Sequence, residues 1–262
     1  MKIRPGIALL SLPLLLAVVS CNTAKVPVVG TAIDSLSGRS AATEARLSTA
    51  AENAVVEGKT EEALVLYEKL YTHNTTGFFV ADNPDRQNIA LNYAQLLRKS
   101  GKAQRAITVL SSYVEGRDGN VKDGVAPIIL NEYAASSIEL GNFDKAETVL
   151  NTVLEDKNAS KFHADAYNLL GIVLDAQSQH REAEQAFRQA LETWKGDKTS
   201  VMNNLALCLA SQGMFDESLT TLRQALVMAK DKQGIARNIQ MISDLKKSVV
   251  PTAPVALKSS QK

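Results

Sequence analysis

The chain has 262 residues, and its 29 Lys and Arg nearly balance 28 Asp and Glu. That balance lacks the basic footprint of a nucleic-acid binder, and 5% aromatic residues in an alanine- and leucine-rich chain favour packed helices over sheets. The length suffices for one large domain or a repeat array.

Residues 1–20 divide into a basic start (Lys2, Arg4), the apolar run "PGIALLSLPLLLAVV", and a small residue, Ser20, before Cys21. This is the layout of a secretory signal. The run is too short to cross a bilayer, which takes about 20 apolar residues, and Pro5 and Pro13 interrupt it. The tetrapeptide "VVSC" resembles the lipobox of bacterial lipoproteins. The resemblance implies cleavage before Cys21, a diacylglycerol on its thiol and an acylated new N-terminus. The covalent lipid on Cys21 is then the one prosthetic group expected. Each buried methylene contributes about 0.8 kcal/mol, so three acyl chains make a stable anchor. Asn22, where an aspartate would hold such a protein in the inner membrane, implies the outer membrane, with the chain facing the periplasm. Cys208 is then left without a disulfide partner and is expected to be buried and inert.

Residues 21–43 comprise the lipidated N-terminus and a tether of small and polar residues without helical period. The repeat region is expected over residues 44–247. One phrase recurs in it: a glycine, four residues, an alanine, and a large apolar residue four positions on. It reads "GKTEEALVLY" from Gly58, "GKAQRAITVL" from Gly101, "GNFDKAETVL" from Gly141, "SQHREAEQAF" from Ser178 and "GMFDESLTTL" from Gly213. Seven residues before each turn lies a small residue: Ala51, Ala94, Ala134, Gly171 and Ala206. The alanine column is Ala63, Ala106, Ala146, Ala183 and Ser218; the large column is Tyr67, Leu110, Leu150, Phe187 and Leu222.

These columns resemble the tetratricopeptide repeat, a pair of antiparallel helices of about 34 residues. The copy from Ala164 carries Tyr167, Leu170, Gly171, Leu174, Ala183, Phe187 and Ala190 at the signature positions, with Lys195 where a late proline is usual. The fold class expected is all-α, a solenoid of about five repeats at 44–77, 87–120, 127–160, 164–197 and 199–232. A cap helix is expected over 234–247 and a disordered tail over 248–262. The intervals along the alanine column leave insertions of about nine, six, three and one residues over the ideal repeat. The largest contains Phe78 and Phe79, read either as core on a lengthened second helix or as an apolar protrusion for a partner.

The resemblance implies a concave face lined by first-helix positions 2, 5, 9, 12 and 13. Asn131, Asn168 and Asn203 share position 5, with Asn92 one place later in its own repeat. Such a ladder has the donors and acceptors to hold a peptide backbone; the alternative is that asparagine there merely tolerates solvent. Gln95, Arg98 and Lys99 extend the face, the last two as a basic end, while Glu139, Asp165 and Asp175 make an acidic middle. The cationic clamp of chaperone-binding repeat domains has no counterpart, because its column holds asparagine. His73, His163 and His180 lack metal-site spacing, and neither a phosphate-cradling loop nor a GxSxG elbow occurs. Neither an enzyme nor a metal site is expected.

The order of lipobox, tether, about five repeats and a closing helix beginning "ARNIQ", with "NNLALCLASQGMFDESLTTLRQAL" late in the array, resembles the TadD family of the tight-adherence (Flp pilus) secretion apparatus. That resemblance implies a protein-binding scaffold at the outer membrane whose partner is a secretin or another pilus-assembly component. The alternative is a lipoprotein adaptor that recruits peptidoglycan hydrolases or proteases.

Overall fold

The computed structural model describes residues 41–74 and 84–249, and among them regular structure consists of eleven α-helices without a β-strand. They are α1 (Ala41–Val56), α2 (Thr60–Asn74), α3 (Pro84–Lys99), α4 (Ala103–Val114), α5 (Pro127–Glu139), α6 (Phe143–Glu155), α7 (Ser160–Ala176), α8 (His180–Thr193), α9 (Thr199–Ser211), α10 (Phe215–Met228) and α11 (Gln233–Val249). Each helix packs on the next, so α1 to α10 form five antiparallel pairs and α11 closes the stack. Cys21, Phe78 and Phe79 lie outside the described residues.

One turn geometry ends every first helix. At Gly58, Gly101, Gly141, Ser178 and Gly213 the backbone is left-handed, with φ between 64° and 79°. In each turn that residue's N–H bonds the carbonyl three residues back, and the following N–H bonds the carbonyl five back, as in Gly58 to Val55 and Lys59 to Ala54. This doubly bonded cap satisfies the helix's last carbonyls and turns the chain within three residues. Ser178 is the one non-glycine residue with positive φ among the described residues. A side chain there works against the steric preference of L-residues.

The columns meet where the paired helices cross. Ala51, Ala94, Ala134 and Ala206 are fully buried, as are Ala63, Ala106, Ala146, Ala183 and Ser218. The large residues fill the space beside them: Leu110, Leu150 and Leu222 are fully buried, Tyr67 and Phe187 nearly so. In the fourth pair the small residue is Gly171, and a Cβ there would stand 2.6 Å from Cδ1 and Cε1 of Phe187. Ser218 keeps the alanine column's size and satisfies its hydroxyl by donating to the Ala206 carbonyl at 2.6 Å.

One apolar core runs from Leu47 to Leu209, and a second, built from Met202, Ala206, Leu219, Leu222, Ala225, Ile235 and Ile242, is completed by α11. Repeat units of this kind bury their apolar faces only against neighbours, and a terminal helix is needed to cover the last one. The insertion after α4 is pinned in place. Lys122 N–H bonds the Val114 carbonyl, and the Glu115 carboxylate accepts from the Tyr133 hydroxyl at 2.7 Å and pairs with Lys145 at 3.1 Å. After α6, the Asp156 carboxylate accepts from the Asn158 N–H at the head of a short 3₁₀ turn, Lys157–Ala159. That turn feeds straight into α7, which therefore starts a full turn before Ala164.

Candidate functional site

From the second pair onward, first helices of successive pairs touch one another: α3 with α5, α5 with α7, α7 with α9, and α9 with the cap α11. Consecutive second helices do no more than graze. An array whose first helices converge while its second helices splay is curved, with the first helices on the inner side. The residues expected to face a partner all sit on those inner helices.

The asparagines join successive inner helices. Asn131 on α5 donates through Nδ2 to the Phe162 carbonyl of α7 at 3.2 Å. Asn168 on α7 accepts at Oδ1 from Asn204 of α9 at 3.1 Å, and Asn203 on α9 accepts at Oδ1 from Asn238 of α11 at 2.8 Å. Each asparagine therefore spends half of its amide between helices. Asn131 keeps Oδ1 without a partner although it is buried, whereas Asn168 and Asn203 keep their N–H groups, which find no acceptor among the described residues. Asn92 and Gln95, one turn apart on α3, are both half-buried.

The charges are arranged differently from the expected basic end and acidic middle. Arg98 holds Glu132 of α5 with two bonds, Nε to Oε1 at 2.6 Å and Nη2 to Oε2 at 3.1 Å, and reaches Glu139 at 3.0 Å through Nη1. Its charge is consumed within the fold, so the basic end reduces to Lys99, which is exposed. Burial pushes the Glu132 carboxyl up, with the Arg98 guanidinium opposing it. Glu139 is drawn into the same network. Asp165 stays exposed on α7 beside enough protein to raise its carboxyl above the ordinary range by loss of hydration. Asp175 faces the turn, its Oδ1 lying 2.7 Å from His180 Nδ1.

Several of these partners have no signal of their own in the sequence. Glu132, Asn204 and Asn238 each stand beside or one repeat beyond an expected residue, and only the stagger between repeats selects them. Cys208 is fully buried, as expected, and burial pushes its thiol well above the usual range. It is not isolated, however: its sulfur lies beside Asp175 and His180.

Two family models described as tetratricopeptide repeat match the chain, over residues 125–196 and 170–234. No curated protein matches it. Among solved structures, TTC0263, a thermophilic TPR protein in Thermus thermophilus, superposes with a TM-score of 0.59 at 17% identity, covering 76% of this chain and 98% of that one. The MamA protein gives 0.51 at 17% identity, with 81% and 97% covered. A tetratricopeptide repeat protein from Parabacteroides merdae ATCC 43184 gives 0.51 at 21% identity, with 81% of each chain covered. At these identities the likeness concerns the fold. Paired helices joined by one recurrent turn, with small and large columns at each crossing, give this chain the fold of a tetratricopeptide-repeat solenoid, and the two family models match that repeat over residues 125–234.

Proposed function

We propose that the chain is a non-enzymatic protein-binding scaffold, anchored in the outer membrane by a lipid on Cys21 and facing the periplasm. Its partner, on this reading, is a secretin or another component of a tight-adherence (Flp) pilus, held against the inner face of the array. The observation that carries protein binding is the row of half-used amides on converging helices: donors on Asn168 and Asn203, and an acceptor on Asn131. An extended peptide offers alternating N–H and C=O groups that match such a row. Lys99 at the α3 end and Asp165 one turn from Asn168, both exposed, add opposite charges to this face, which favours a segment that is itself of mixed charge. The lipobox supports the anchor, and the order of segments supports the pilus reading.

The test is a crosslinking pull-down from isolated outer membranes. It compares the wild type with the triple variant Asn131→Ala/Asn168→Ala/Asn203→Ala and with Cys21→Ala. The proposal expects a pilus component with the wild type, its loss in the triple variant, and release of Cys21→Ala from the membrane. Recovery of peptidoglycan hydrolases or proteases instead would replace the pilus assignment with an adaptor role. Undiminished capture by the triple variant would move the contact off the inner face.

A further inference from the structure

Repeats four and five meet at a group of side chains that the inner face does not use. Asp175 ends α7 and His180 opens α8, while Cys208 projects from α9 of the next repeat. The left-handed turn at Ser178 folds the chain back so that His180 Nδ1 comes within 2.7 Å of Asp175 Oδ1. The Cys208 thiol, on the other side, donates to the His180 carbonyl at 3.2 Å. One carboxylate oxygen, one imidazole nitrogen and one sulfur thus all lie within 4.8 Å of one another. Gln212, one turn beyond Cys208, approaches the sulfur at 3.7 Å and holds Glu184, one turn beyond His180, at 3.0 Å. The two helices therefore present paired polar positions across a short gap.

We propose that Asp175, His180 and Cys208 bind one zinc-class divalent ion, which clips repeat four to repeat five. Thiolate, imidazole and carboxylate are the donors such borderline-soft ions take, in tetrahedral geometry with bonds of about 2.0–2.3 Å. Tetrahedral angles then require donor atoms about 3.4–3.6 Å apart. The sulfur, within 4.8 Å of the other two donors, has to close by no more than about 1.4 Å to meet that spacing. The Asp175–His180 pair opens by less than 1 Å, and both side chains have the freedom, being 18% and 32% exposed. Binding releases the thiol proton to solvent as the sulfur–metal bond forms, and the Asp175–His180 hydrogen bond gives way to two metal bonds. Three protein donors leave the fourth position to water.

Cobalt(II) is the probe, because a thiolate ligand gives it a charge-transfer band in the near ultraviolet. Full-length protein, purified with reductant, is titrated with cobalt(II), competed with zinc(II), and assayed for bound metal after equilibrium dialysis. The expected result is one equivalent of metal and a thiolate band that persists in Cys21→Ser and vanishes in Cys208→Ser. Affinity should fall at least about tenfold in His180→Ala, whose side chain is partly exposed and whose loss leaves the core packed. At one zinc concentration the melting temperature should rise most in the wild type and less in both site variants. Absence of the band, or equal binding by wild type and His180→Ala, overturns the proposal and leaves the inner-face reading untouched.

Discussion

Replacing Gly171 by alanine separates packing from helix propensity by the sign of its effect. In a helix interior alanine is favoured over glycine by about 1 kcal/mol, so an unobstructed position would gain stability. Here the added methyl lies 2.6 Å from Cδ1 and Cε1 of Phe187 and 2.9 Å from Cζ. The ring is 1% exposed and has nowhere to swing. Overpacking a tight core costs about 1–3 kcal/mol, and three ring atoms inside contact distance put this case near the top of that range. The net expectation is a loss of about 2 kcal/mol. Phe187→Leu alone leaves a void and loses about 1–2 kcal/mol. The double variant restores the alanine–leucine pair already present at Ala94/Leu110, Ala134/Leu150 and Ala206/Leu222, all fully buried. It should therefore be more stable than either single variant, with a coupling of about 2 kcal/mol. Urea unfolding followed by far-ultraviolet circular dichroism reads all three. A gain in stability for Gly171→Ala alone would refute the account of this crossing.

Other positions give independent tests. Ser178→Gly removes a left-handed side chain, worth about 1–2 kcal/mol, against about 0.5–1 kcal/mol of added chain entropy. The urea midpoint should rise, and an unchanged midpoint contradicts the strain argument. Arg98→Met strands Glu132 beneath the surface without its partner, a loss of about 3 kcal/mol at neutral pH. Because Glu132 then takes up a proton more readily, the deficit should shrink as pH falls; a deficit independent of pH would exclude the charge mechanism. The Tyr133 hydroxyl, with Lys145 beside it, holds the Glu115 carboxyl below its ordinary value. Its contribution is present above the ordinary carboxylate range and lost as pH falls through the depressed folded value. Tyr133→Phe should therefore flatten the acid limb of the stability curve.

The repeat is legible because its constraints are local and steric. A left-handed turn selects glycine, and a close crossing selects alanine, so both leave marks in the chain at fixed spacing. Ser178 breaks the first rule and its repeat still stands out, because Ala183 and Phe187 follow at the right intervals. What a polar residue bonds to is set by the stagger between repeats, and a single repeat does not record it. Asn131, Asn168 and Asn203 occupy the same position, yet the first donates to a carbonyl while the others accept from asparagines. Arg98 reads as a free charge until the next repeat brings Glu132 and Glu139 to it, 34 and 41 residues away. Cys208 reads as inert for the same reason, since Asp175 and His180 reach it only across the repeat boundary.

The central claim is that the inner face holds a protein partner, and site-specific photo-crosslinking tests it most directly. A photoreactive residue placed at Gln95, Asn168 or Asn203 samples the converging first helices. The same residue at Thr108, Thr148 or Thr220 samples exposed, equivalent sites on second helices, where each hydroxyl only bonds back to its own helix. In cells producing the full-length protein, the account predicts one shared adduct from the inner positions and none from the outer set. Adducts from the outer positions, with the inner ones silent, would contradict it.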